Sequence, residues 1–167
     1  AALTANTTGA NNTSMGSVTL GSNTTGANNT GFGRNALYAN TTASNNTGVG
    51  YSSLDANTTG ENNTAVGATS FTSNTTGSSN TAIGMNALRD NTTASNNTAV
   101  GLNALLVNTT GANNTAVGLE AGKNLTTGDY NSFFGSEAGR NAAITGDNNT
   151  AIGYASGYSL TSGSNNA

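Results

Sequence analysis

One feature governs what this chain can fold into: it repeats itself every 17 residues over a length of 167. An Asn doublet followed by Thr marks the phase, at Asn11-Asn12-Thr13, Asn28-Asn29-Thr30, Asn45-Asn46-Thr47 and Asn62-Asn63-Thr64. It continues as Ser79-Asn80-Thr81, Asn96-Asn97-Thr98, Asn113-Asn114-Thr115 and Tyr130-Asn131-Ser132. After one extra residue between 135 and 153 come Asn148-Asn149-Thr150 and Asn165-Asn166-Ala167. The consensus is N-N-T-A-V-G-x-N-A-L-x-x-N-T-T-G-A. A fixed period of this kind overrides any residue-by-residue assignment of structure, because each unit must present the same faces to its neighbours.

The columns of the repeat sort by physical type. The residue before each phased Gly is large and apolar: Met15, Phe32, Val49, Val66, Ile83, Val100, Val117, Phe134 and Ile152. A second apolar column holds Leu3, Leu20, Leu37, Leu54, Phe71, Leu88 and Leu105, then turns to Gly122, Gly139 and Gly157. Each of those last repeats regains a large apolar residue a little later, as Leu125, Ile144 and Leu160. Two large apolar groups in 17 residues cannot form the stripe of an amphipathic helix, which needs one every three or four positions. Asn, Thr and Gly are also poor helix formers. The pattern predicts an all-β fold, a β-solenoid (parallel β-roll) of about ten 17-residue coils in one domain spanning 1–167. Each coil is expected to hold two short strands joined by N-T-T-G and N-N turns, where Asn and Gly tolerate positive φ.

Within this frame the two apolar columns are the expected core ladder. In T-A-V-G the alternation of a strand sends Val inward and the small Ala outward. The second Asn of each doublet forms the expected Asn ladder: Asn12, Asn29, Asn46, Asn63, Asn80, Asn97, Asn114, Asn131, Asn149 and Asn166. Coils stack at about 4.8 Å, so ten give a rod on the order of 50 Å long. So few large apolar residues per coil leave a thin core, and a second buried surface is expected. The small-residue face (Ala65, Gly67 and their equivalents) suits close approach by another chain, which predicts self-association as a trimer.

The N-T-A-V-G-x-x-A-L unit resembles the head repeats of trimeric autotransporter adhesins, the YadA-like head family, and similar repeats in phage and bacterial tail fibres. The residues that carry it are Asn63-Thr64-Ala65-Val66-Gly67, Asn80-Thr81-Ala82-Ile83-Gly84 and Asn97-Thr98-Ala99-Val100-Gly101, with Ala87-Leu88 and Ala104-Leu105. The resemblance covers essentially the whole chain. It implies a left-handed parallel β-roll, three chains about one axis, in an extracellular fibre. The repeats of adhesin heads are usually shorter, about 14 to 16 residues, and lack the N-T-T-G insert.

Composition excludes most chemistry. Asn and Thr supply about 30 residues each, Gly adds 23, and there is no Cys, His, Trp or Pro. No disulfide framework, thiolate nucleophile or His-based acid/base pair can be built from that inventory. Four basic against seven acidic residues cannot neutralise a run of phosphates, so nucleic acid is not expected as a partner. No apolar run approaches bilayer-spanning length, so this segment is not expected to insert in a membrane. The seven carboxylates, Asp55, Glu61, Asp90, Glu120, Asp129, Glu137 and Asp147, show no recurrence that would pair two of them as acid and base, and read as solvated turn charges. Arg89-Asp90 reads as a surface pair of small energetic value. The glycines keep the coil phase and do not match a phosphate-binding loop. Neither a cofactor, a metal nor catalysis is expected.

Two further columns remain. Sequons stand one per coil at Asn6, Asn23, Asn40, Asn57, Asn74, Asn91 and Asn108; they either carry a stripe of sugar or serve as turn and ladder residues. A Thr array runs from Thr7-Thr8 through Thr75-Thr76 to Thr126-Thr127. Adjacent residues of a strand alternate faces, so at most one of its two ladders points outward. The chain starts and stops inside a coil, as expected of a piece of a longer fibre or of a subunit that stacks head to tail. The expected function is a non-enzymatic structural or adhesive segment of an extracellular or cell-surface fibre. Its expected partners are itself, as homotrimer or filament, and a host surface or carbohydrate. The alternatives are a phage tail-fibre shaft, which would place it in a virion tail, and an ice-binding solenoid using the Thr array.

Overall fold

The structure, a computed structural model, describes residues 1–140 and 143–167. It is a β-solenoid whose coils each contribute one three-residue strand to a single parallel sheet. In chain order these are β1 (Thr13–Met15), β2 (Thr30–Phe32), β3 (Thr47–Val49), β4 (Thr64–Val66), β5 (Thr81–Ile83), β6 (Thr98–Val100), β7 (Thr115–Val117), β8 (Ser132–Phe134) and β9 (Thr150–Ile152). Their order in the sheet is their order in the chain. The register is that of the repeat: Thr64 pairs with Thr81, Ala65 with Ala82 and Val66 with Ile83. The expected extra residue of the eighth coil falls in the stretch containing residues 141 and 142, which lie outside the described residues.

The second strand expected in each coil is not among the named strands; that part of the repeat is turn. Leu20, Leu37, Leu54, Phe71, Leu88 and Leu105 all sit at φ between 49° and 54°, the left-handed region that costs an ordinary residue about 1 kcal/mol or more. A chain turning left-handed at every Leu cannot stay extended. Coil-to-coil hydrogen bonds nonetheless continue there, as from the N–H of Leu20 to the carbonyl of Ala36 (3.0 Å) and from Leu37 to Ser53 (3.0 Å). The strain is offset by burial: the six side chains are fully enclosed, and enclosing each is worth about 2 kcal/mol.

The strand's two faces are the reverse of the expectation. Ala65, Ala82, Ala99 and Ala116 are wholly buried. Met15, Phe32, Ile83, Val117, Phe134 and Ile152 are exposed, and Val49, Val66 and Val100 are half-buried. That column of the expected core ladder therefore lies on the outside, while the Leu column forms the core. The reason is width. A Cβ placed on Gly48 would lie 3.1 Å from Cγ of Leu37, so with Leu filling the coil the inner strand position accepts nothing larger than Ala. The exception supports this account. Phe133 takes the inner position with no exposed surface where the Leu column has become Gly122 and Gly139. A Cβ on either glycine would stand 2.7 Å from the Phe133 ring. Beyond it, Leu125 and Ile144 are fully buried and bridge one another in parallel.

Candidate interaction face

The inverted strand creates the most prominent surface of the molecule. Thr and the large apolar residue of each strand point outward together, side by side with their equivalents one coil away. From β3 to β7 every member of both columns is β-branched: Thr47/Val49, Thr64/Val66, Thr81/Ile83, Thr98/Val100 and Thr115/Val117. Such side chains are stiff about χ1, so the face is a fixed array of methyl and hydroxyl groups. Beyond the phased Gly a third column is exposed, with Tyr51, Met85, Leu102, Leu119 and Tyr154. Together the apolar columns make a stripe along the rod, and Arg34 stands over the Tyr51 ring at 5.9 Å. The sequence reading missed this stripe, having assigned the column before each Gly to the core.

The same inversion removes the small-residue interface. Ala65 and its equivalents are enclosed by their own coil. Gly67 has φ +135° and faces the Gly84 backbone so closely that a Cβ would lie 2.6 Å from it. The Ala column is therefore closed to a second chain, while the half-buried Gly67 serves coil stacking.

Both Asn columns are interior except at their ends, where Asn6 and Asn12 are half-buried and Asn166 is exposed. The ladder from Asn12 to Asn166 is built by side chain against backbone: Oδ1 of Asn63 accepts the N–H of Asn80 (3.0 Å), and its Nδ2 donates to the carbonyl of Gly77 (2.8 Å). The sequon column is interior as well. Asn23, Asn40, Asn57, Asn74, Asn91 and Asn108 are fully buried and Asn6 is half-buried. Nδ2 of Asn40 donates to Oδ1 of Asn23 (2.8 Å) and to the Ala43 carbonyl (3.0 Å). The nitrogen that would carry a glycan is thus occupied inside the coil, which favours the turn-and-ladder reading of this column over a stripe of sugar. Among the described residues no buried side-chain polar atom lacks a hydrogen-bond partner.

Charge is concentrated late in the chain. Glu120 and Glu137, one period apart, stand in one column, where they share a cation and do not pair with each other as acid and base. Arg140 joins them, Nε to Glu120 at 2.6 Å and Nη1 to Glu137 at 2.9 Å, and Lys123 reaches Glu120 at 2.9 Å. The Lys123 hydrogen bond, reinforced by Asn103 and Arg140, holds the Glu120 carboxyl below its ordinary range. It is therefore an anion locked in a charge network, unsuited to delivering a proton. Asp55 goes the other way, raised by burial against a hydrogen bond from Ser52. Arg89 and Asp90 form a two-pronged pair at 2.7 and 2.8 Å. Among the described residues no three metal-ligating side chains come together, and no helix is long and apolar enough to cross a membrane. Compared with protein-family models, curated proteins and solved structures, the chain matches none of them.

Proposed function

We propose that the protein is a non-enzymatic structural or adhesive segment of an extracellular fibre, and that it associates with copies of itself through the outward face of its sheet. The observation that carries this reading is the apolar stripe. Soluble monomers rarely leave a contiguous apolar surface running the length of the fold, and such a surface marks an interface. Association of three chains, or of a filament, is heterologous in character, and a stripe with one repeat throughout keeps the packed coils of neighbouring chains in register along the rod. The fibre role draws on the resemblance to adhesin-head and tail-fibre repeats and on the rod shape that sequential stacking imposes. With side chains this rigid, little conformational entropy is lost when the face is covered.

The test is native mass by light scattering, with negative-stain images of the same fraction. The wild-type chain should give a discrete species near three chains, or filaments. A triple variant carrying Val66→Lys, Ile83→Lys and Val100→Lys should be monomeric with an unchanged circular-dichroism spectrum, since all three positions face outward. A wild-type monomer at the highest soluble concentration would overturn the reading.

A further inference from the structure

A second surface, independent of the sheet, lies in the N-T-T-G turn. The first Thr of each pair is used inside the fold: Oγ1 of Thr75 donates to the carbonyl of Thr92 (3.1 Å), as does its N–H (2.8 Å). The second Thr is different. From Thr8 through Thr76 to Thr127, and on to Thr145 after the inserted residue, every member of that column is exposed. Among the described residues none of these hydroxyls takes part in a side-chain hydrogen bond within the chain. The column is held firmly nonetheless. In the central coils Thr76 follows a buried Asn74, precedes a buried Gly77, and lies four residues before a buried Asn80. Its own N–H is directed at the Thr92 carbonyl (3.4 Å). The chain therefore displays a straight rank of threonines, one per coil, with fixed backbones and hydroxyls open to solvent.

We propose that this rank is an ice-binding row, a function additional to self-association and not dependent on it. The argument is one of spacing and chemistry. Water molecules hydrogen-bonded at about 2.75 Å in tetrahedral geometry place second neighbours about 4.5 Å apart. Stacked coils place successive Thr hydroxyls about 4.8 Å apart. The mismatch, about 0.3 Å per coil, lets several consecutive hydroxyls occupy oxygen positions of one water row before registry is lost. Each Thr also offers a methyl, which restricts the waters beside it and favours an ordered layer over a mobile one. Beside Thr76, Thr93 and Thr110 the column two residues further on is uncharged, as Ser78, Ser95 and Ala112, whereas Glu61 flanks Thr59 and Asp129 flanks Thr127, so the layer free of a neighbouring ion spans those three coils. A bound sugar fits this row less well, since the rank offers no aromatic face to stack on.

The experiment is a thermal-hysteresis measurement on the full chain, paired with an ice-recrystallisation assay. Wild-type protein should shape ice crystals and depress freezing below melting. A triple variant, Thr59→Lys, Thr76→Lys and Thr93→Lys, should need at least tenfold more protein for the same effect while keeping its circular-dichroism spectrum and native mass. The Val66→Lys, Ile83→Lys, Val100→Lys variant should keep the ice activity, which separates this row from the association face. No hysteresis from the wild-type chain at its highest soluble concentration would overturn the proposal. So would equal activity of the threonine variant, or loss of activity only in the sheet-face variant.

Discussion

At the scale of single residues, the two Asn of each doublet do opposite work. Asn62 is exposed at φ 59° and turns the chain, a conformation Asn tolerates better than most residues. Asn63, next to it, is buried and spans two coils. Removing its side chain orphans the buried N–H of Asn80, whereas the Gly77 carbonyl keeps its bond from Asn74 (3.0 Å). An unpaired buried donor costs about 1–3 kcal/mol, and the lost contacts add to that. Asn63→Ala should therefore destabilise the chain by about 3 kcal/mol in urea unfolding, and Asn62→Ala by about 1 kcal/mol. Equal effects of the two substitutions would contradict the ladder. This distinction is legible in the sequence, because the second Asn holds in all ten copies while the first becomes Ser79 and Tyr130. Burial of the sequon Asn is not legible there, since N-T-T reads equally well as an acceptor site or a turn. Only the geometry shows Nδ2 already engaged.

At the scale of one coil, the period and the Leu column are legible, but the direction of the strand is not. Alternation states only that Ala65 and Val66 point to opposite faces; it does not say which face is the core. That is decided by how much width the neighbouring Leu leaves, a quantity no strand pattern contains. The sequence carries one clue to it. Where the Leu column becomes Gly122 and Gly139, the inner strand position becomes Phe133, so the two columns exchange volume and must share one interior. Leu125 and Ile144 pack into the same swapped coils. Phe133→Ala in this setting leaves a hole between Gly122 and Gly139, neither of which has a side chain to fill it. The expected cost is about 3–5 kcal/mol, read by thermal or urea unfolding, with Ala151→Gly as a mild comparison in the same column. Adding Gly139→Leu to Phe133→Ala should recover part of the loss by restoring the arrangement of the earlier coils. Failure of the double variant to improve on Phe133→Ala would mean the columns do not share volume. The φ of 62° at Gly139 costs a Leu about 1 kcal/mol, a strain that Leu88 already carries at φ 51° in the equivalent position, so the recovery is partial.

At the scale of the whole molecule, the chain is a one-dimensional stack. Every strand pairs only with its sequence neighbours, so stability is close to a sum of coil terms and coil–coil interface terms. An interior coil is held by two interfaces and a terminal coil by one. Opening therefore begins at the ends and costs one interface per step, while exposing a central coil requires everything on one side of it to open first. Native-state hydrogen exchange should accordingly show a gradient. The N–H groups of Thr81 and Thr98, bonded to the carbonyls of Asn97 and Asn114 at 2.8 Å, should exchange most slowly. That of Thr13, with the same bond to Asn29 at 2.8 Å, should exchange faster by orders of magnitude despite identical local geometry. Identical bonds with different protection are the signature sought, because local hydrogen-bond strength is then held constant and only position along the stack varies. The Phe133→Ala variant sharpens the test: weakening the eighth coil should raise exchange in β8 and β9 together while leaving β3 to β6 unchanged. A flat profile, with Thr13 and Thr81 exchanging at one rate, would show that the rod opens as a single cooperative unit. The nearest-neighbour picture would then fail, together with the use of the repeat as an additive unit of stability.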